Sequence, residues 1–109
     1  MLDGRVNGAR TEFLLDTGAS AVVLTFEDAR RAGYRPSDLS FTVPVSTANG
    51  RALVAPVKIE EITIGEHTLR NIRGFVGREG TLEASLFGLT ALDRLQSWRI
   101  EGDKLIMTP

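Results

Sequence analysis

The chain has 109 residues, 42% hydrophobic and 25% charged, which suits one domain around one core, is too short for two, and excludes a disordered or fibrous chain. A net charge of −1, with Arg30-Arg31 as the only adjacent basic pair, excludes a general attraction to nucleic-acid phosphates. The absence of cysteine excludes disulfides and thiolate chemistry.

Taken in chain order, short apolar or alternating segments recur with turn residues between them, the pattern of a small β barrel or sandwich. Asn7-Gly8 suits a tight hairpin, because both residues tolerate positive φ, and a strand then runs through Glu12-Phe13-Leu14-Leu15 to Asp16. Val22-Val23-Leu24 reads as a buried strand. Thr25, with Asp28 three residues on, caps a short helix that Gly33 ends. Phe41 to Val45 and Ala52 to Val57 read as extended, with Asn49-Gly50 as a second hairpin turn between them.

Val57, Ile59, Ile62 and Ile64 predict two strand segments with a register break at Glu60-Glu61. Gly65-Glu66 then turns the chain towards Leu69, Ile72 and Phe75-Val76, and Gly77 to Gly80 is a polar loop. Leu82 to Phe87 reads as extended, Gly88 breaks it, and Leu89, Leu92 and Leu95 follow a helical spacing. Trp98-Arg99-Ile100 and Leu105-Ile106-Met107, turned by Glu101-Gly102-Asp103, predict a closing hairpin. No run, Ala19 to Phe26 included, is long and apolar enough to cross a bilayer, so no membrane contact is expected of this segment.

One segment carries chemistry. Phe13-Leu14-Leu15 leads an apolar strand into Asp16-Thr17-Gly18-Ala19-Ser20, placing a carboxylate on a rigid strand end ahead of a small-residue turn. Gly18 permits a close backbone approach there, and the Thr17 hydroxyl can tie the loop to a neighbour. This loop resembles the active-site loop of aspartic peptidases, and Ala19 makes it more similar to the retroviral type than to the pepsins. Leu86-Phe87-Gly88, followed by a helical Leu89 to Leu95, resembles the apolar-apolar-glycine strand end that supports that loop in retropepsins. Thr47-Ala48-Asn49-Gly50 lies between them, where the family keeps its flap, and is similar to the flap of bacterial single-domain members.

The resemblance covers nearly the whole chain and implies a mostly β, small closed retropepsin-like acid-protease barrel with one or two short helices, a single domain over residues 1–109. One loop supplies one carboxylate, whereas the chemistry needs two sharing a proton. The resemblance therefore implies a homodimer in which a water between two Asp16 side chains attacks a peptide carbonyl, with no cofactor and no metal. The partners implied are a second copy and a protein or peptide substrate, with no nucleic acid. Bacterial relatives of this kind imply a periplasmic or membrane-anchored setting, through a segment absent here.

The sequence departs from the retroviral pattern at two places: Ser20 stands where those members carry Asp, and Leu89 where they carry Arg. The two lost partners form an ion pair near the dimer interface, so a weaker or differently built dimer is one implication. The flap tip also has fewer glycines. A second reading is therefore a catalytically silent peptide-binding or dimerisation module on the same fold. Plainer readings of single residues complete the picture. Asp-Thr-Gly alone is a common turn. His67 is a surface residue of a polar turn, lacking a second histidine or a cysteine to form a metal site. Ser20 lacks a nucleophile-elbow sequence, Trp98 and Phe87 read as core, and Glu60-Glu61 and Arg30-Arg31 as solvated faces.

Overall fold

Alternation of buried and exposed side chains drives most of the strands to pair around one apolar centre. In the computed structural model the backbone is described for residues 1–16, 18–47, 50–94, 97–101 and 104–108, and the side chains for residues up to 94 apart from Thr17, Thr47, Ala48, Asn49 and Thr90. The strands are β1 (Leu2–Val6), β2 (Ala9–Leu15), β3 (Val22–Leu24), β4 (Val43–Thr47), β5 (Gly50–Ile64), β6 (His67–Gly77), β7 (Ser85–Phe87), β8 (Ser97–Glu101) and β9 (Lys104–Thr108). Helices α1 (Phe26–Arg31) and α2 (Leu89–Leu92) are short, and a 3-10 turn at Pro36–Asp38 went unread in the sequence.

Six strands close into a barrel in the order β1-β2-β7-β3-β6-β5, because β5 pairs back onto β1 at Val6↔Ile62 and Gly4↔Ile64. β4 extends β5 as a hairpin outside the closed ring, and β8 and β9 form a separate two-stranded sheet. This is the expected mostly β closed barrel with two short helices. Val6, Phe13, Val22, Leu24, Ile59, Ile62, Ile72, Val76, Phe87 and Leu92 are fully buried within it. Phe13 and Phe87 meet edge to face, with centroids 5.6 Å apart, a geometry that adds to their area burial.

Local signals account for the connections. Asn7 and Gly8 take φ of 50° and 88°, the doubly left-handed turn that matches strand twist. The Asp28 amide donates to Thr25 Oγ1 at 3.0 Å, capping α1, and Gly33 follows the helix with φ 101°. Leu82 to Phe87 is extended only from Ser85, and α2 ends at Leu92; Leu95 lies outside the described residues. His67 is half-buried and closes the β5-β6 hairpin opposite Ile64.

The expected register break at Glu60-Glu61 is not a shift of register, although the ladder skips the Glu60-Asn71 pair. β5 and β6 keep one register from Val54↔Gly77 to Ile64↔His67. What changes is the facing: Ile59 and Ile62 are both buried, as are Ile72 and Leu69 opposite. Asn71 absorbs the flip with φ 55°. Its neighbours' backbone groups are held from outside the hairpin, by Arg94 donating to the Arg70 carbonyl at 2.7 Å and by Asn7 bonding both backbone groups of Glu61. The Tyr34 hydroxyl donates to the Lys58 carbonyl at 2.7 Å and accepts from Asn7 Nδ2, and burial raises its pKa above the ordinary tyrosine value.

A buried polar cluster ties α1 to β7. Ser85, fully buried, donates to Asp28 Oδ2 at 2.6 Å and accepts from the Thr25 amide at 3.0 Å, while Arg31 pairs with the other Asp28 oxygen. Asp28 thus turns inward, and Arg31 is not simply solvated. Asp28→Ala should cost about 2 kcal/mol by leaving the Ser85 hydroxyl without its acceptor. Urea denaturation checks this, and a loss below about 0.5 kcal/mol would show that the cluster contributes little.

Candidate active site

Asp16 sits one residue past the end of β2, at the point where β2 runs parallel to β7 in the register Phe13↔Ser85, Leu14↔Leu86 and Leu15↔Phe87. The ladder continues one step further, since the Asp16 amide donates to the Phe87 carbonyl at 3.2 Å. The chain then folds back on the carboxylate. The Gly18 amide donates to Asp16 Oδ1 at 2.9 Å and the Ala19 amide to the Asp16 carbonyl at 3.1 Å. Asp16 is half-buried, and Gly18 is its carboxylate's one hydrogen-bond partner among the described residues.

Leu86-Phe87-Gly88 and the helix after it hold this loop from behind. The Leu89 amide donates to the Ala19 carbonyl at 2.9 Å. Gly88 lies so close to the loop that a Cβ there would stand 2.3 Å from the Ala21 carbonyl oxygen and 2.8 Å from that of Ala19. Only glycine allows that approach. Leu89 itself is partly buried against the core, and Ser20 is exposed, so the positions of the retroviral ion pair hold an apolar contact and a solvent-facing side chain.

Of the residues expected to form a flap, Thr47 and Gly50 form the closing pair of the β4-β5 ladder and Gly50 has φ 109°. Ala48 and Asn49, like Thr17 of the loop, lie outside the described residues. On the hairpin, Val45 and Ala52 are partly buried opposite each other, whereas Pro44 and Leu53 are exposed.

Sequence reasoning missed a second apolar surface. Leu14, Leu86, Val23, Phe75 and Pro56 are laterally paired neighbours on five adjacent strands, β2-β7-β3-β6-β5. They alternate with the core residues and face away from them, and Leu14 is 47% exposed. Asp16 lies two residues beyond Leu14 along the pleat, so the row begins beside the carboxylate. The signal was present in Phe13-Leu14-Leu15 and Val22-Val23-Leu24, whose unbroken apolar runs have no polar outer face.

A single carboxylate on the turn that leaves a strand of a small closed barrel, braced by an apolar-apolar-glycine strand end, is the architecture of the retropepsin-like aspartic proteases. The chain belongs to the family described as "gag-polyprotein putative aspartyl protease", whose model matches residues 2–94. It is similar to a crystal structure of a retropepsin-like aspartic protease from Rickettsia conorii, with a TM-score of 0.84 and 38% identity, covering 97% of this chain and 79% of that one. Two curated relatives are an uncharacterized protein in the cobV 5' region of Sinorhizobium sp, 46% identical over 92% of this chain, and an uncharacterized protein of Rickettsia prowazekii (strain Madrid E), 40% identical over 94%. The chain spans 43% of the length of each. No helix among the described residues is long and apolar enough to cross a membrane.

Proposed function

We propose that residues 1–109 form one half-site of a homodimeric aspartic endopeptidase, with Asp16 as the catalytic carboxylate. The observation that carries this reading is the bracing of the Asp16 turn by Phe87, Gly88 and Leu89, which presents a half-buried carboxylate at the start of an apolar row. Two copies of Asp16 brought within reach of one water cannot both stay ionised, so the pair shares a proton. The ionised partner takes a proton from the water, whose oxygen attacks the peptide carbonyl. The protonated partner gives its proton to the carbonyl oxygen, and the resulting diol returns a proton to that carboxylate as it collapses, while the proton taken from water passes to the departing amine. Thr17, Gly18, Ala19 and Ser20 shape the loop, Leu86, Phe87 and Gly88 support it, and Thr47, Ala48, Asn49 and Gly50 act as the flap.

The peptide lies extended between flap and floor, with the Leu14-Leu86-Val23-Phe75 row as the floor for apolar side chains. The silent-module reading is favoured by one feature, the replacement of the interface ion pair by Ser20 and Leu89. Concentration separates the two readings. Specific activity on a peptide library should rise with protein concentration and level off as the dimer fills, in step with the dimer fraction measured by sedimentation. Peptide binding without cleavage at every concentration, at acid and at neutral pH, would leave only the module.

A further inference from the structure

The outward row does not stop at Phe75 and Pro56. The next outward pair on the same two strands is Lys58 and Arg73, directly opposite each other in the β5-β6 register and both exposed. Directly opposed like charges repel, so the pair is unfavourable unless an anion lies between them. No carboxylate among the described residues pairs with either one. Glu61 is taken by Arg70 at 2.8 Å, and Glu60, two residues on from Lys58, forms no ion pair with it. Lys58 and Arg73, with Pro56, Val57 and Asn71, line a concavity of about 440 Å³.

We infer that this Lys58-Arg73 concavity receives a carboxylate side chain of a peptide laid along the Leu14-Leu86-Val23-Phe75 row, making it an outer subsite for acidic substrates. The inference rests on the reading of that row as a peptide floor. The guanidinium of Arg73 offers a planar fork that matches a carboxylate, and Lys58 adds a second positive charge. An anion between them also relieves their mutual repulsion. Adjacent strands lie about 4.8 Å apart, so the three steps from β2 to β6 span about 14 Å, or about four residues of an extended peptide. The acidic residue therefore lies about four or five residues from the bond held at Asp16.

The test uses two labelled peptides with the same apolar centre, one carrying Glu and the other Gln four and five residues out on each side. Binding to the Asp16→Asn chain is followed by fluorescence anisotropy at low salt. The Glu peptide should bind about three- to tenfold more tightly, the range expected of two solvent-exposed ion pairs. The preference should vanish in the Lys58→Gln/Arg73→Gln variant, which should unfold no earlier than the parent, and in about 0.5 M salt, where exposed charges are screened. Equal binding of both peptides, binding of neither, or a preference that survives the double substitution overturns the subsite. Cleavage by the unsubstituted chain separates the two readings: both peptides cut with equal kcat/KM removes the subsite alone, and a retained binding preference with no cleavage removes the peptidase alone.

Discussion

Replacing Asp16 by Asn is expected to lower peptide cleavage by at least about a thousandfold, because an amide neither takes a proton from water nor shares one with its partner. The fold should not respond. The Asn side-chain oxygen can accept the same Gly18 amide that donates to Asp16 Oδ1 at 2.9 Å, and the backbone bonds from Asp16 to Phe87 and from Ala19 to Asp16 do not involve the side chain. Thermal unfolding within about 0.5 kcal/mol of the unsubstituted chain, together with lost cleavage, is the expected pair of results. Cleavage that survives in a preparation free of contaminating peptidase would exclude Asp16 from the chemistry. Because the proposed site takes one carboxylate from each subunit, a mixed dimer with one Asn should be as inactive as the double one. Titrating the variant into unsubstituted protein should therefore suppress activity faster than simple dilution does.

Gly88→Ala is expected to have the largest effect on the fold of any single methyl added to the described glycines of the site. The new Cβ would meet two backbone carbonyls, of Ala21 at 2.3 Å and Ala19 at 2.8 Å, and neither can rotate away as a side-chain tip could. The loop must move, or β7 must. Overpacking of this kind costs about 3 kcal/mol, which for a domain of this size lowers Tm by about 12 to 24 °C. Where the variant still folds, the shift falls on the turn that carries Asp16, and a displacement of about 1 Å at a reacting group can cost a hundredfold in rate. Calorimetry and kcat/KM on one preparation check both. A change below about 1 kcal/mol would mean that the loop yields readily and that Gly88 does not set its position.

Much of the fold was legible because its signals are local. Asn7-Gly8 needs positive φ at two successive residues, Thr25 and Asp28 satisfy a helix start within one turn, and period-two burial marks β1 and β2. The candidate loop was legible for the same reason, since Asp16 to Ser20 and Leu86 to Gly88 are contiguous strings. Errors arose where one residue's environment depends on distant chain. Glu60-Glu61 suggested a slip in pairing, yet the register is continuous and the two strands change facing together, with Asn71 taking the left-handed conformation and Asn7 and Arg94 holding the corner from other elements. Asp28 looked like half of a capping pair and is also the acceptor for a buried serine 57 residues away.

By itself the sequence determined the strand content, the hairpin turns, the helix cap and the presence of one carboxylate on a glycine turn, because each follows from the conformational limits of a few adjacent residues. Tertiary structure alone decided that β7 lies parallel beside β2, which sets Gly88 against the Ala19 and Ala21 carbonyls, and that five strands line up Leu14, Leu86, Val23, Phe75 and Pro56 beside Asp16. Lys58 and Arg73, fifteen positions apart, become neighbours only through the β5-β6 register. The physical reason is that strand pairing brings remote residues to within about 5 Å, a distance no local propensity encodes.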